Sequence, residues 1–111
     1  MRLLVLDAVA ERSLGFVAAL RERGYTPDHL DDLGDAAEAF SLTPYSGMVL
    51  RRRFPDGDGI AWLRRCRARG VPTPAVVLVG ASTVEDRVQA FDAGADDCVQ
   101  TPVDERELGV R

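Results

Sequence analysis

The sequence predicts an α/β domain built on a five-stranded, doubly wound parallel sheet with helices on both faces. Three observations carry that expectation. Short apolar runs alternate with helically patterned segments at almost even spacing along the chain. The runs are apolar at nearly every position rather than at alternate ones, as strands covered on both faces are. At 111 residues the chain is long enough for one domain with a real core and too short for two, and strand–helix alternation inside one domain calls for right-handed crossovers between parallel strands.

Taken in order, Leu3 to Leu6 is a first strand. Leu14, Val17, Ala18 and Leu20 then recur at helical spacing, with Gly24 as the closing residue. Tyr25 to Leu30 reads as a second strand, and Pro27 puts it at an edge of the sheet because proline has no N–H for a ladder. Ala36 to Leu42 is a short second helix and Gly47 to Leu50 a third strand. Ile60 to Arg69 is a third helix, with Ile60, Leu63 and Cys66 turned inward and Arg64, Arg65 and Arg69 turned to water. Pro74 to Val79 is a fourth strand, Val84 to Ala93 a fourth helix ending at Gly94, and Asp97 to Gln100 a fifth strand. A fifth helix opens at Asp104 and the sequence stops inside it, so further chain is expected past Arg111. No linker, internal repeat or low-complexity segment interrupts the pattern.

The charges narrow the chemistry. Eighteen acidic residues against 14 basic ones give a net charge of -4, which argues against a nucleic-acid or anionic-lipid surface on this domain. All 14 basic residues are arginine, so a Schiff-base lysine or a phosphate-reading lysine is excluded. Cys66 and Cys98 are far apart and match no metal spacing, which reads as a pair of reduced intracellular thiols. The opening run from Met1 to Leu6 is too short for a signal peptide or a membrane span, and the expected location is cytoplasmic. His29 is a lone histidine near a strand end, expected at the surface, and no nucleophile–base pair is visible. No enzyme activity, metal or cofactor is expected.

One stretch stands out: "MVLRRRFPDGDG", Met48 to Gly59. Arg51, Arg52 and Arg53 sit at the mouth of a buried parallel strand, where α/β folds concentrate their chemistry. This stretch, with "RLLVLD", "RERGY", "VEDRVQAFDAGADD" and the "TP" of Thr101-Pro102, resembles the receiver domain of response regulators, the phosphoacceptor half of two-component signalling, and within it the OmpR/PhoB type. The resemblance runs over essentially the whole chain. It implies the flavodoxin-like, CheY-like fold with strand order 2-1-3-4-5.

It also implies a set of positions at the carboxyl ends of the strands. Two acidic residues after the first strand and an acceptor aspartate after the third would hold magnesium, a hard cation that takes oxygen ligands. A hydroxyl after the fourth strand and a lysine after the fifth would bind the phosphoryl oxygens. In this chain the acidic pair falls on Asp7 and Ala8, the acceptor on Arg51, the hydroxyl on Val79 and the lysine on Thr101, while the aromatic switch position falls on Cys98. Asp56 and Asp58 belong to the turn after the strand, and Ser82 and Thr83 are better placed to cap the fourth helix than to replace the hydroxyl. Arginine has no lone pair to offer a cation and stays protonated. The expectation is therefore an atypical receiver whose acid pocket has been dismantled, with the Arg51 guanidinium paired to Asp7; the pair either locks one conformation or leaves room for an anionic ligand. Arg52 and Arg53 are expected to be a solvated loop.

The face that such receivers use for pairing, made by the fourth helix, fifth strand and fifth helix, keeps its charges: Arg87, Asp96, Asp97, Glu107 and Arg111 match its network, with Phe91 at its apolar centre. The resemblance thus implies a homodimer formed without phosphorylation, inside a transcription regulator that reaches DNA only through a winged-helix domain beyond residue 111, and it puts the need for a sensor kinase in doubt. The competing reading is a stand-alone adaptor or small-molecule sensor.

Overall fold

In the computed structural model of the chain, residues 1–8, 10–80 and 84–100 are described, the side chains of 10–13 excepted. The elements in chain order are β1 (Arg2–Leu6), α1 (Ala10–Glu22), β2 (Thr26–Leu30), α2 (Leu33–Leu42), β3 (Gly47–Leu50), β4 (Arg53–Phe54), β5 (Gly57–Asp58), α3 (Gly59–Ala68), β6 (Ala75–Val79), α4 (Val84–Asp92) and β7 (Asp97–Gln100). β2, β1, β3, β6 and β7 lie side by side in that order in one sheet, every neighbouring pair parallel. With the two-residue ribbon β4–β5 set aside, this is the expected order 2-1-3-4-5, and Pro27 does lie on an edge strand.

Strand periodicity divides the sheet into two faces. Leu4, Leu6, Met48, Leu50 and Val77 are fully buried on one of them, under Leu33 and Ala36 of α2, Ile60, Trp62 and Leu63 of α3, and Ala90 of α4. Val5 and the α1 residue Val17 are buried outside that cluster, on the face where α1 lies. Among the described residues no helix is long and apolar enough to cross a membrane.

Three local departures have plain causes. α2 begins at Leu33, three residues before the expected start, because Asp32 caps it: Asp35 N–H donates to Asp32 Oδ1 at 2.6 Å. Gly34 and Asp35 interrupt the apolar period there and hide the first turn. α1 begins at Ala10, and Leu14 is 67% exposed, so only part of its apolar pattern faces the core. The segment after β3, expected as a turn, folds into the antiparallel ribbon β4–β5, which buries Phe54. Its return is tight. Gly59 N–H donates to the Arg52 carbonyl at 2.6 Å, and a Cβ at Gly59 would run into the Arg51 carbonyl.

Candidate functional site

The site forms where β1 and β3 end together. Leu6 pairs with both Leu30 and Leu50, so the next residues, Asp7 and Arg51, emerge side by side from the middle of the sheet. Their backbones extend the ladder by one step, Asp7 N–H donating to the Leu30 carbonyl and Arg51 N–H to the Leu6 carbonyl, each at 3.1 Å. Register, not loop chance, therefore sets their spacing.

Arg51 Nε donates to Asp7 Oδ2 at 2.9 Å, with side chains 15% and 5% exposed. The pairing expected from the sequence is present. Charge-assisted contacts of this length are among the stronger hydrogen bonds in proteins, and water is largely absent to compete. His29 lies half-buried on β2 with Nε2 3.0 Å from the Asp7 carbonyl, a contact that needs the proton on Nε2 because a carbonyl only accepts. It is thus part of the wall of the site and not the surface residue expected.

Arg52 corrects a second expectation. It is not a solvated loop residue: Nη1 donates to Asp86 Oδ1 on α4 at 2.6 Å, and Nη2 to Asp58 Oδ2 at 3.2 Å. Arg53 is exposed, as expected. The turn acids serve helix ends. Asp58 Oδ1 accepts from Ile60 N–H at 3.0 Å and caps α3, while the Asp56 carboxylate accepts from Leu33 and Gly34 N–H at 3.1 and 3.0 Å at the start of α2. Those two amides hold the Asp56 carboxyl below the usual carboxylate range.

Ala8 is half-buried against the core and Val79 buried at the end of β6. Cys98 is buried in β7, and burial pushes its thiol up. On the outer face, Arg87 and Asp97 are exposed and Phe91 is 47% exposed. Val84, Val88 and Phe91 form one stripe along α4 at i, i+4 and i+7, and Val99 on β7 is also exposed. Thr101, Glu107, Arg111, Ser82 and Thr83 lie outside the described residues. Asp31, Asp32 and Asp35 bring carboxylate oxygens within 4.8 Å of one another at the start of α2, where Asp32 is already the helix cap and its charge pushes Asp35 up.

Asp96 sits at the opposite end of the sheet from Arg51. Its Oδ2 accepts from Ala75 N–H at 2.8 Å and from Arg67 Nη2 at 3.2 Å. Arg67 was not singled out by sequence reasoning. It also donates to the carbonyls of Gly94, Val71 and Thr73 at 3.0, 2.9 and 2.7 Å, fastening the end of α3 to the two loops that enter β6 and β7. Gly94 (φ +106) leaves the space this needs, since a Cβ there would meet the Arg67 stem. Its partners are mainly backbone carbonyls, which carry no side-chain signature in a sequence.

Comparison with known proteins agrees with this fold. The chain is 36% identical over its whole length to the "Probable transcriptional regulatory protein y4xI" of Sinorhizobium fredii and covers 48% of that protein. It is 32% identical to the transcriptional regulatory protein PmrA of Pectobacterium parmentieri, again over its whole length and 50% of the relative. The chain thus spans about half the length of the curated relatives it matches. Among solved structures, the Francisella response regulator 1452 receiver domain superposes with a TM-score of 0.85 at 24% identity, over 99% of this chain and 91% of that one. The beryllofluoride-activated NtrC4 receiver domain dimer gives 0.83 at 26% identity, over 98% and 90%. The family profile for the response regulator receiver domain matches residues 3–111, and the chain belongs to that family.

Proposed function

We propose that this chain is a phosphorylation-independent receiver domain that pairs constitutively and regulates a transcription factor of which it forms about half. The observation that carries the reading is the buried contact between Arg51 and Asp7. A fixed guanidinium there supplies the positive charge that a metal ion and a lysine would otherwise bring to the carboxylate. The donor set does not fit a divalent cation: Asp7 faces an arginine, the Ala8 side chain offers no ligand atom, and the side chain at the position taken as the acceptor cannot bind a cation or carry an acyl phosphate. Asp56 and Asp58, the nearest other carboxylates on that loop, are engaged at the starts of α2 and α3.

Pairing is supported by the exposed stripe of Val84, Val88 and Phe91, flanked by Arg87 and by Asp97 and Val99 on β7. Apolar burial would supply most of the affinity and the charges would set register. The NtrC4 receiver, to which this chain is similar, is described as a dimer in its activated form. The relatives' names as transcriptional regulators, and the half of their length left uncovered, support an output domain for DNA beyond Arg111.

The test is incubation of the protein with acetyl phosphate and magnesium, followed by intact mass. No mass increase is expected, and none should appear in Arg51→Asp, because positions 8 and 101 still lack a metal ligand and a lysine. A stoichiometric, base-labile phosphoryl adduct on the parent protein would overturn the reading.

A further inference from the structure

α4 carries the proposed pairing stripe, yet packing holds it loosely. Of its nine residues only Ala90 is buried, near its carboxyl end. Beyond that end, Ala93 and Ala95 are also buried, and their amides donate to the Gln89 and Ala90 carbonyls. The first turn has no buried residue, and Val84 there is 76% exposed. Among the described residues, apolar burial does not set where that end of the helix lies.

Arg52 is placed to do so. Its guanidinium spans from Asp86, in the first turn of α4, to Asp58, the cap of α3, with the two carboxylates 33% and 40% exposed. Its own backbone is held by Gly59 N–H and follows directly from Arg51, whose side chain is committed to Asp7. Consecutive arginines thus point to two different anchors, one in the middle of the sheet and one on α4. The fork of an arginine can engage two carboxylates at once with directional bonds, which a point charge does less well.

We infer that Arg52 is a positioning residue that fixes the amino end of α4 to the loop after β3, and so holds Val84, Val88 and Phe91 in line for a second copy of this chain. The helix position is then constant, set by an ion triad that forms as the chain folds. The pairing half of this inference rests on the function proposed above; the anchoring half does not.

The experiment separates the two halves. Amide exchange is followed in the full chain at low concentration for the parent, Arg52→Ala, Asp86→Ala, the double variant, and Arg53→Ala as a neighbouring exposed arginine. Exchange across α4 should be about three- to fivefold faster in Arg52→Ala, while β3 and α3 stay at parental rates. The double variant should be no faster than the faster single one, because the two share one interaction. Arg53→Ala should match the parent. Unchanged α4 exchange in Arg52→Ala, or a rise spread evenly over the whole sheet, would overturn the anchoring. Light scattering over a concentration series reads the other half: the dissociation constant of the pair should rise about three- to fivefold in Arg52→Ala and not in Arg53→Ala. A parent that stays monomeric at high micromolar concentration overturns the pairing half alone, since the exchange result is obtained on separated chains.

Discussion

The two ends of the sheet use the same pair of residue types to opposite effect. At the carboxyl end, Arg51 meets a carboxylate that is almost wholly buried, where little water is at hand to solvate either charge. At the amino end, Arg67 spreads its donors over three carbonyls and Asp96, whose side chain is 60% exposed, and Arg2 meets Asp28 with both partners more than one-third exposed. Water can replace a lost partner at the second end and not at the first. The comparison teaches that arginine content says little by itself: Arg51 pairs with a buried carboxylate, Arg67 fastens loops, and Arg2 makes an exposed ion pair.

The sharpest way to break the comparison is to remove Arg51. Arg51→Met takes the guanidinium away from a carboxylate that is only 5% exposed and should lower unfolding stability by about 3–5 kcal/mol. Arg51→Met combined with Asp7→Leu removes both charges and should recover most of that loss. Urea melts of the two variants decide it; equal losses would mean that the pair is held by something other than mutual solvation.

Arg67→Ala should cost less, about 2 kcal/mol, because its carbonyl acceptors belong to residues that are only half-buried, Val71, Thr73 and Gly94, and carry no charge to strand. The damage should show first as faster exchange in the segments around Val71 to Ala75 and Gly94 to Asp96.

The smallest effect belongs to Arg2→Ala, about 0–1 kcal/mol. It carries a pH signature. Burial pushes the Asp28 carboxyl up, but the hydrogen bonds from Tyr45 and Arg2 outweigh it and hold the carboxyl below its ordinary value of 3.8. A carboxyl lowered in the folded state adds stability above the unfolded value and loses it as pH falls through the folded one. The gap between Arg2→Ala and the parent should therefore be constant at neutral pH and close as pH falls below 3.8.

What could be read from the sequence follows from the range of the interactions. The strands were legible because a strand covered on both faces is apolar throughout, and the observed Arg2–Leu6 and Ala75–Val79 each differ by one residue from the expected Leu3 to Leu6 and Pro74 to Val79. The Asp7–Arg51 contact was legible because the receiver resemblance puts both residues at acid-pocket positions at the ends of neighbouring strands, where a remaining carboxylate and an arginine form an ion pair. Arg52 was not, since its partner Asp86 is 34 positions away on a helix whose approach no local pattern encodes. Nor was the ribbon, whose two-residue strands are too short to show a period, nor the first turn of α2, whose Gly34 resembles a break.

Gly59 has a genetic consequence that its chemistry would not announce. It is uncharged and sits at the first residue of α3. Yet its N–H holds the carbonyl of Arg52, and its bare Cα leaves room for the carbonyl of Arg51. Any side chain at 59 would lift the strand end from which both arginines reach their anchors. In a random mutant screen, a single change at this codon should score as a double lesion at 51 and 52.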